Sequence, residues 1–157
     1  MPVRVQTEDF DTGVEINRMR HSRMDTGAIV SFVGLVRDTN HGSDVTAMTL
    51  EHYPGMTERA LEEIVAQAKG RWDIFDALVI HRVGTLKPMD QIVLVAISGA
   101  HRGEAFAACE FIMDYLKTEA PFWKKEQTPA GERWVEARSS DEVARERWNS
   151  DINTYEQ

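Results

Sequence analysis

Residues His101–Gln127 read HRGEAFAACEFIMDYLKTEAPFWKKEQ. Apolar residues recur at helical spacing from about Gly103 to Lys117, which predicts one amphipathic helix. Pro121 ends that pattern, because proline lacks a backbone donor and restricts the residue before it. Two aromatic residues and two lysines follow in Phe122–Lys125. The stretch therefore predicts a helix that stops near a proline and a strand that turns back, with lysines on both sides of the break.

The apolar face of this helix is predicted to consist of five residues. They are Phe106, Cys109, Ile112, Met113 and Leu116. Cys109 is the single cysteine of the chain, so no internal disulfide can form. Its place on the apolar face predicts a buried, inert thiol rather than a nucleophile. One unpaired cysteine also agrees with a reducing cytoplasm.

Two apolar runs upstream predict buried strands. The run Gln91–Ser98, QIVLVAIS, is the strongest such signal in the chain, and Gly27–Arg37 is nearly continuous in apolar character. Gly34 inside the second run indicates either a bulge or a close packing contact. Asp38–Ser43 is rich in turn-forming residues and predicts a polar loop, and Gly84–Asp90 predicts a turn.

The remaining elements complete an α+β order with helices packed on a mixed sheet. Strands are predicted at Val3–Gln6, Val45–Tyr53, Ala77–Val83, Phe122–Thr128 and Arg133–Ala137, and helices at Val14–Arg23, at Thr57–Trp72 and from a cap at Ser139–Asp141 to Trp148. The length of 157 residues fits one domain, which we place at residues 1–148, with a polar C-terminal tail at 149–157.

Composition narrows the classes of function. The net charge of -8 disfavours a general nucleic-acid binder, because phosphate neutralisation needs a basic surface. No segment approaches the ~20 apolar residues of a membrane span. The first ten residues, MPVRVQTEDF, lack the apolar middle of a signal peptide. These features predict a soluble cytoplasmic protein that binds neither nucleic acid nor membrane.

Metal and nucleotide motifs are absent from the sequence. The five histidines show neither HExxH nor paired ligand spacing, and the one cysteine has no partner, so no metal site is predicted. Neither GxGxxG nor GxxxxGK[ST] appears. Most histidines are interpreted as surface groups or hydrogen-bonded side chains.

Several cations occupy places where an anion could bind. Arg37 ends a predicted strand and begins a polar loop, although strand-end arginines are usually solvated. His101 and Arg102 lie between the strongest strand and a helix, and helix amino termini attract anions. Lys117 lies in the last helical turn, where any cation is favourable. These residues suggest a site for a phosphorylated or carboxylated ligand.

The lysines after Pro121 have two interpretations. A solvated charge run is the ordinary one. In a strand, however, Phe122 and Lys124 share one face while Trp123 and Lys125 share the other, so Lys124 is expected to face a pocket or the core. Two neighbouring ammonium groups disfavour each other's charge, which could leave a neutral amine as a base or nucleophile.

Long, unusual motifs resemble a known family. LEHYPGMT at Leu50–Thr57 and YLKTEAPFWK at Tyr115–Lys124 are the most distinctive. Further matching segments are Gly34–Arg37, Val79–Gly84, Ala100–Arg102, Phe111–Asp114, Lys125–Glu126 and Arg133–Arg138. Over about Gly27–Trp148 the chain resembles the large, catalytic subunits of molybdopterin synthase, the MoaE family.

The resemblance implies a fold, a reaction and partners. The fold would be an α/β hammerhead-like arrangement with an additional antiparallel β-sheet. The reaction would be sulfur transfer from the C-terminal Gly-Gly thiocarboxylate of a small ubiquitin-like carrier subunit to cyclic pyranopterin monophosphate, forming the dithiolene of molybdopterin. The large subunits would form a homodimer within a heterotetramer. No cofactor would be required, since sulfur arrives already activated on the carrier.

The resemblance also implies roles for individual residues. Lys117 and Lys124 would be catalytic, and substrate contacts would come from Leu35, Val36, Arg37, His101, Arg102, Lys125 and Glu126. Pro121 is expected to bring Lys124 back beside Lys117, so that both ammonium groups open onto one pocket. The sequence leaves open whether His101 and Arg102 act in their own pocket or in that of a dimer mate.

Two other functions are weighed against this one. A non-catalytic module could bind a ubiquitin-like tail or a nucleotide without forming product. A phosphohydrolase that uses Arg37 and His101 is disfavoured, because the sequence shows no metal cluster and no nucleophile motif.

Overall fold

The structure, a computed structural model, describes residues 2–40, 43–135, 141–146 and 148–149. The helices are α1 (Thr12–Arg20), α2 (Met56–Arg71) and α3 (Arg102–Glu119). The strands are β1 (Val3–Gln6), β2 (Ala28–Leu35), β3 (Thr39–Asn40), β4 (Ser43–Asp44), β5 (Ala47–His52), β6 (Ile74–Arg82), β7 (Gly84–Leu86), β8 (Gln91–Gly99), β9 (Phe122–Thr128) and β10 (Gly131–Val135). Residues 141–146 and 148–149 are also helical.

The first sheet has the strand order β1-β6-β8-β2. β1 pairs with β6 in parallel, whereas β8 pairs with β6 and β2 antiparallel. β8 is the most buried strand, as its apolar run predicts, and Val93–Ile97 are at most 4% exposed. Val93, Val95 and Ile97 join the core under α2 and α3, while Leu94 and Ala96 join a smaller core beside α1. The sheet is therefore covered on both faces.

The second sheet is antiparallel throughout and has the order β10-β9-β5-β7. Its inner face contributes Met48, Leu50 and Leu86 to a third cluster with Val36 and Val83. β3 and β4 form a separate two-stranded pair. A mixed sheet with helices and an additional antiparallel sheet is the predicted α+β architecture, and the prediction is confirmed.

The position of β2 in its sheet differs from the prediction. Gly27–Arg37 was predicted to be a buried strand, but β2 is the edge strand of its sheet, with Phe32 42% and Leu35 51% exposed. The register shifts between Gly34 and Leu35. A Cβ at Gly34 would lie 2.9 Å from Cγ1 of Val93. Gly34 thus marks both a bulge and a close packing contact.

Three further predictions were wrong in part. The predicted turn at Gly84–Asp90 begins with β7, which pairs with β5. The predicted loop at Asp38–Ser43 contains the paired β3 and β4, although residues 41–42 lie outside the described part of the chain. Phe106 was placed on the apolar face of α3 but is 60% exposed. Residues 136–140, which hold the end of the last predicted strand and most of the cap, are also not described.

A buried threonine links the break after α3 to the start of α2. Thr57 is fully buried, and its hydroxyl donates to the carbonyl oxygen of Pro121 at 3.0 Å. The same hydroxyl accepts from the backbone N–H of Tyr53 at 3.0 Å. Gly55, at φ 86°, supplies the left-handed turn that starts α2. These bonds fix where β9 leaves Pro121.

Among the described helices, none has the length and apolar character that crossing a membrane requires.

Candidate functional site

α3 fixes the first lysine of the site. Phe111, Ile112 and Leu116 are buried in the core, and exposed Lys117 follows them in the last turn. Trp148 braces this part of the helix: its Nε1 donates to Oδ2 of Asp114 at 2.7 Å. The Trp148 ring also packs edge-on against Phe111, with ring centroids 5.6 Å apart. The backbone that carries Lys117 is therefore held on a rigid element.

β9 fixes the second lysine. Successive side chains of a strand point to opposite faces, and Phe122, Lys124 and Glu126 all face one cavity. Trp123 faces outward and contacts Tyr53 with ring centroids 4.4 Å apart. The prediction that Lys124 shares its face with Phe122 and points toward a pocket is confirmed.

Two backbone hydrogen bonds of Val36 fix the position of the segment that carries Arg37. The N–H of Val36 donates to the carbonyl oxygen of Asp90 at 2.9 Å, and the N–H of Met89 donates to the carbonyl oxygen of Val36 at 2.9 Å. The Val36 side chain is buried and only 3% exposed. Arg37 follows directly and lines the cavity, as does Leu35. Val36 thus anchors the segment and does not itself line the cavity.

These elements enclose a cavity of about 570 Å³ between α3, the inner face of the second sheet and the end of the first sheet. Three cationic residues line it: Arg37, Lys117 and Lys124. The structure therefore brings both predicted lysines to one cavity, together with the predicted arginine. Each comes from a different segment, so the cationic character of the site arises only in the folded chain.

Two acidic residues also line the cavity. Glu126 is 2% exposed, and its Oε1 accepts from Nε of Arg133 at 3.2 Å. A buried carboxylate needs such a partner, because burial of an unpaired charge is costly. Asp141 also lines the cavity, from the helical residues 141–146. Sequence reasoning missed Asp141, because no local pattern indicates which residues a distant anchor brings close.

His101 and Arg102 lie elsewhere. Both are exposed at the amino end of α3. Arg102 and Lys117 are separated by fifteen residues of one helix, which at 1.5 Å per residue is about 22 Å. His101 and Arg102 are therefore not among the residues that line this cavity, and whether they serve the pocket of a dimer mate stays a prediction.

Lys125 also lies outside the cavity. It is on the outer face of β9, where its Nζ lies 2.8 Å from Oε2 of Glu132. That hydrogen bond to Glu132 raises the pKa of Lys125. The strand alternation that turns Lys124 inward turns Lys125 outward, so a direct contact from Lys125 to a ligand in this cavity is not supported.

His81 is a lining residue that the sequence interpretation missed. Its ring stacks on Phe122 with centroids 3.8 Å apart and planes 18° apart. Its Nδ1 lies 2.8 Å from the carbonyl oxygen of Arg82. Burial, together with the nearby charges of Lys124 and Lys117, lowers the pKa of His81 to about 3. The available signal was the alternation Ala77, Val79, His81, which places this histidine on the core face of β6.

The depressed pKa of His81 predicts a pH-dependent stability. An unfolded chain binds a proton at His81 near pH 6.5, whereas the folded chain does not until about pH 3. The free energy of unfolding should therefore fall as the pH drops through this window, by up to about 1.4 kcal/mol per pH unit. Above pH 6.5 this contribution is constant.

The measurement is urea denaturation of wild type and His81→Phe between pH 7.5 and pH 4.5. Other titrating groups are common to both proteins, so the difference between the two curves isolates His81. We expect the stability of wild type relative to the variant to decrease steadily below pH 6.5. Parallel curves would show that His81 titrates normally.

No group of three or more His, Cys, Asp or Glu side chains within the described residues is arranged to hold a metal ion. Cys109 is buried, as predicted, and burial raises the pKa of its thiol to about 11. A thiol with that pKa stays protonated near neutral pH and is a poor nucleophile.

Comparison with known proteins yields consistent matches. The sequence model of the family described as MoaE protein matches residues 5–119. The chain is 66% identical over 146 residues to a molybdopterin synthase catalytic subunit from Ralstonia nicotianae, covering 93% of this chain and 83% of that protein. It is 60% identical over 144 residues to the protein of that name from Escherichia coli, covering 92% and 95%.

Solved structures show the same fold. A molybdopterin biosynthesis MoaE protein from Burkholderia ambifaria has a TM-score of 0.80 and 59% identity, with 94% of this chain and 97% of that chain covered. A chain in the complex of subunits 1 and 2 of molybdopterin-converting factor from Helicobacter pylori has a TM-score of 0.72 at 19% identity, with coverage of 88% and 93%. At that identity the second match supports the fold alone.

Proposed function

Because the chain belongs to the MoaE family, we propose that it transfers sulfur to cyclic pyranopterin monophosphate and so forms the dithiolene of molybdopterin. The sulfur donor is the C-terminal thiocarboxylate of a small ubiquitin-like carrier subunit. The observation that supports this reaction best is the single cavity that Arg37, Lys117 and Lys124 line together. The relatives from Ralstonia nicotianae and Escherichia coli are named catalytic subunits, which supports assembly with another subunit.

The electrostatics of the cavity suit two anionic reactants. The pterin carries a phosphate and the carrier tail carries a thiocarboxylate, so they repel each other wherever water is excluded. Preorganised cations offset that repulsion and stabilise the charge that develops in the transition state. The carrier supplies the sulfur nucleophile, so this chain has to supply positive charge, orientation and proton transfer.

Each cation has a distinct proposed role. The guanidinium group of Arg37 offers a planar fork that matches phosphate oxygens, and its clamped backbone limits its position. Lys117 and Lys124 neutralise the thiocarboxylate and the oxyanion that forms at its carbonyl. We keep Leu35 and Glu126 as substrate contacts because both line the cavity, and Val36 as the anchor of Arg37.

We propose that His101 and Arg102 serve the cavity of a second copy. They cannot reach the cavity of their own chain, since most of α3 separates them from Lys117. Exposed apolar side chains at the edge strand β2 and at Phe106 favour self-association. The proposed assembly is a homodimer of this chain with one carrier on each copy.

Residues 1–148 are proposed as the catalytic domain, followed by a polar tail at 149–157. Burial of Trp148 in the main core, at 7% exposure, supports that boundary. We place the protein in the cytoplasm, where a reducing environment would keep both the Cys109 thiol and a thiocarboxylate intact.

The alternative function is a non-catalytic module that only binds the carrier tail. The two functions are separated by mixing the protein with thiocarboxylated carrier and cyclic pyranopterin monophosphate and assaying molybdopterin by mass spectrometry. The enzyme forms product, and unthiolated carrier gives none. Carrier binding without product would support the binding module instead.

A further inference from the structure

His81 occupies a core position at the point where the first sheet meets the cavity. It shares the face of β6 with Ala77 and Val79, which lie in the core under α2 and α3. It is only 4% exposed, yet it lines the same cavity as Lys117 and Lys124. A polar ring thus stands where the strand pattern favours an apolar side chain.

The hydrogen bonding of the ring fixes its protonation. A carbonyl oxygen can only accept, so the 2.8 Å contact to Arg82 places the proton on Nδ1. In the neutral imidazole, Nε2 then carries a lone pair. Within the described residues Nε2 has no hydrogen-bond partner. Nε2 is not among the described buried atoms that lack a partner, so it is open to the cavity, where a donor can reach it.

Lys124 is the best-placed donor. It lies two residues beyond Phe122 on the same face of β9, and the Phe122 ring stacks on His81. Two residues of a strand span about 7 Å, a distance that a flexible four-carbon lysine stem can cover. Of the nearby charges that lower the pKa of His81, that of Lys124 contributes most, ahead of those of Lys117 and His52.

We propose that His81 is a positioning residue, whose Nε2 accepts a hydrogen bond from the Lys124 ammonium group and orients it toward the reacting carbonyl. This role depends on the sulfur transfer proposed above. A neutral acceptor orients the ammonium group without cancelling its charge, which a carboxylate at the same place would do. The other charged groups that line the cavity are Arg37, Lys117, Glu126 and Asp141.

Two substitutions separate this role from simple packing. His81→Phe keeps an aromatic ring on Phe122 but removes the acceptor. His81→Gln loses the stacking but keeps an oxygen acceptor at similar reach. Thermal unfolding identifies the folded variants, and His81→Leu replaces His81→Phe if the phenylalanine variant does not fold.

We expect the substitution of His81 to affect kcat and KM differently. His81→Phe should lower kcat by about 10- to 100-fold, because misplacing a catalytic group slows the chemical step without weakening substrate binding. Its KM for the pterin should change little, and His81→Gln should recover most of kcat. Wild-type kcat in His81→Phe, or an equal loss in both variants, would overturn the proposal.

A second measurement does not depend on turnover. The rate at which acetic anhydride modifies Lys124, followed by peptide mass spectrometry, reports how firmly the ammonium group is held. It should rise several-fold in His81→Phe and not in His81→Gln, with Lys125 as the internal control. An unchanged Lys124 rate would overturn the positioning role, whereas a changed rate without sulfur transfer in wild type would count against the proposed function alone.

Discussion

Lys117→Ala is expected to lower the rate of molybdopterin formation by about 10²- to 10³-fold, the usual effect of removing one preorganised group that stabilises an oxyanion. Lys117 lines the cavity on the exposed side of α3, so its removal leaves the buried face of the helix intact. The fold and the affinity for the carrier should therefore persist. The measurement is single-turnover product formation with saturating thiocarboxylated carrier, with carrier affinity measured separately by calorimetry.

The chain offers a matched control for this prediction. Lys124→Ala should cause a similar loss, whereas Lys125→Ala should leave the rate within about twofold, because Lys125 pairs with Glu132 on the outer face. Lys124 and Lys125 are adjacent, so the comparison separates position from charge. Wild-type product formation by Lys117→Ala, with normal carrier binding, would refute the role given to this lysine.

Mixed dimers should recover activity that neither parent shows. Lys117→Ala and the double variant His101→Ala/Arg102→Ala are each expected to be inactive. If His101 and Arg102 act in the partner's cavity, a mixed dimer contains one cavity with every required residue. With random assortment half of the dimers are mixed, so about one quarter of all cavities should be active. The measurement is turnover per subunit after co-refolding at equal concentration.

A second mixture provides the control. Lys117→Ala combined with Lys124→Ala should not recover, because every cavity then lacks one lysine. Native mass spectrometry confirms that mixed dimers form in both experiments. If the first mixture stays inactive although mixed dimers are present, His101 and Arg102 do not act across the dimer.

Local pattern predicted the parts of the site that lie on regular elements. The alternation in Phe122–Thr128 placed Lys124 inward and Lys125 outward, and the apolar run Gln91–Ser98 identified the central strand β8. These predictions succeeded because a strand has only two faces, so that period and burial settle the orientation of every side chain.

The same reasoning failed where burial depends on distant segments. The apolar run Gly27–Arg37 resembles an inner strand, but β2 lies at a sheet edge, and sheet order is a property of the whole fold. Phe106 fits the helical period yet faces outward, because the rest of the chain packs against only part of the circumference of α3. Asp141 and Trp148 reach the site region only through tertiary contacts, which no local window contains.

The placement of His101 and Arg102 shows a different limit. Their sequence position between a strand and a helix correctly predicted a helix amino terminus. That position does not indicate which cavity they serve. The two ends of α3 are about 22 Å apart, so residues at its amino end are far from Lys117. If these residues contact the substrate beside Lys117, as we propose, they do so from a second copy of the chain.

The most direct test of the central claim is catalytic turnover by the wild-type protein with both substrates in large excess. We expect many molybdopterin molecules to form per protein chain, with two carrier thiocarboxylates consumed for each and the chain recovered at its original mass. If the carrier binds but no molybdopterin forms, or if one sulfur is lost per protein and the reaction then stops, the proposed sulfur transfer is contradicted.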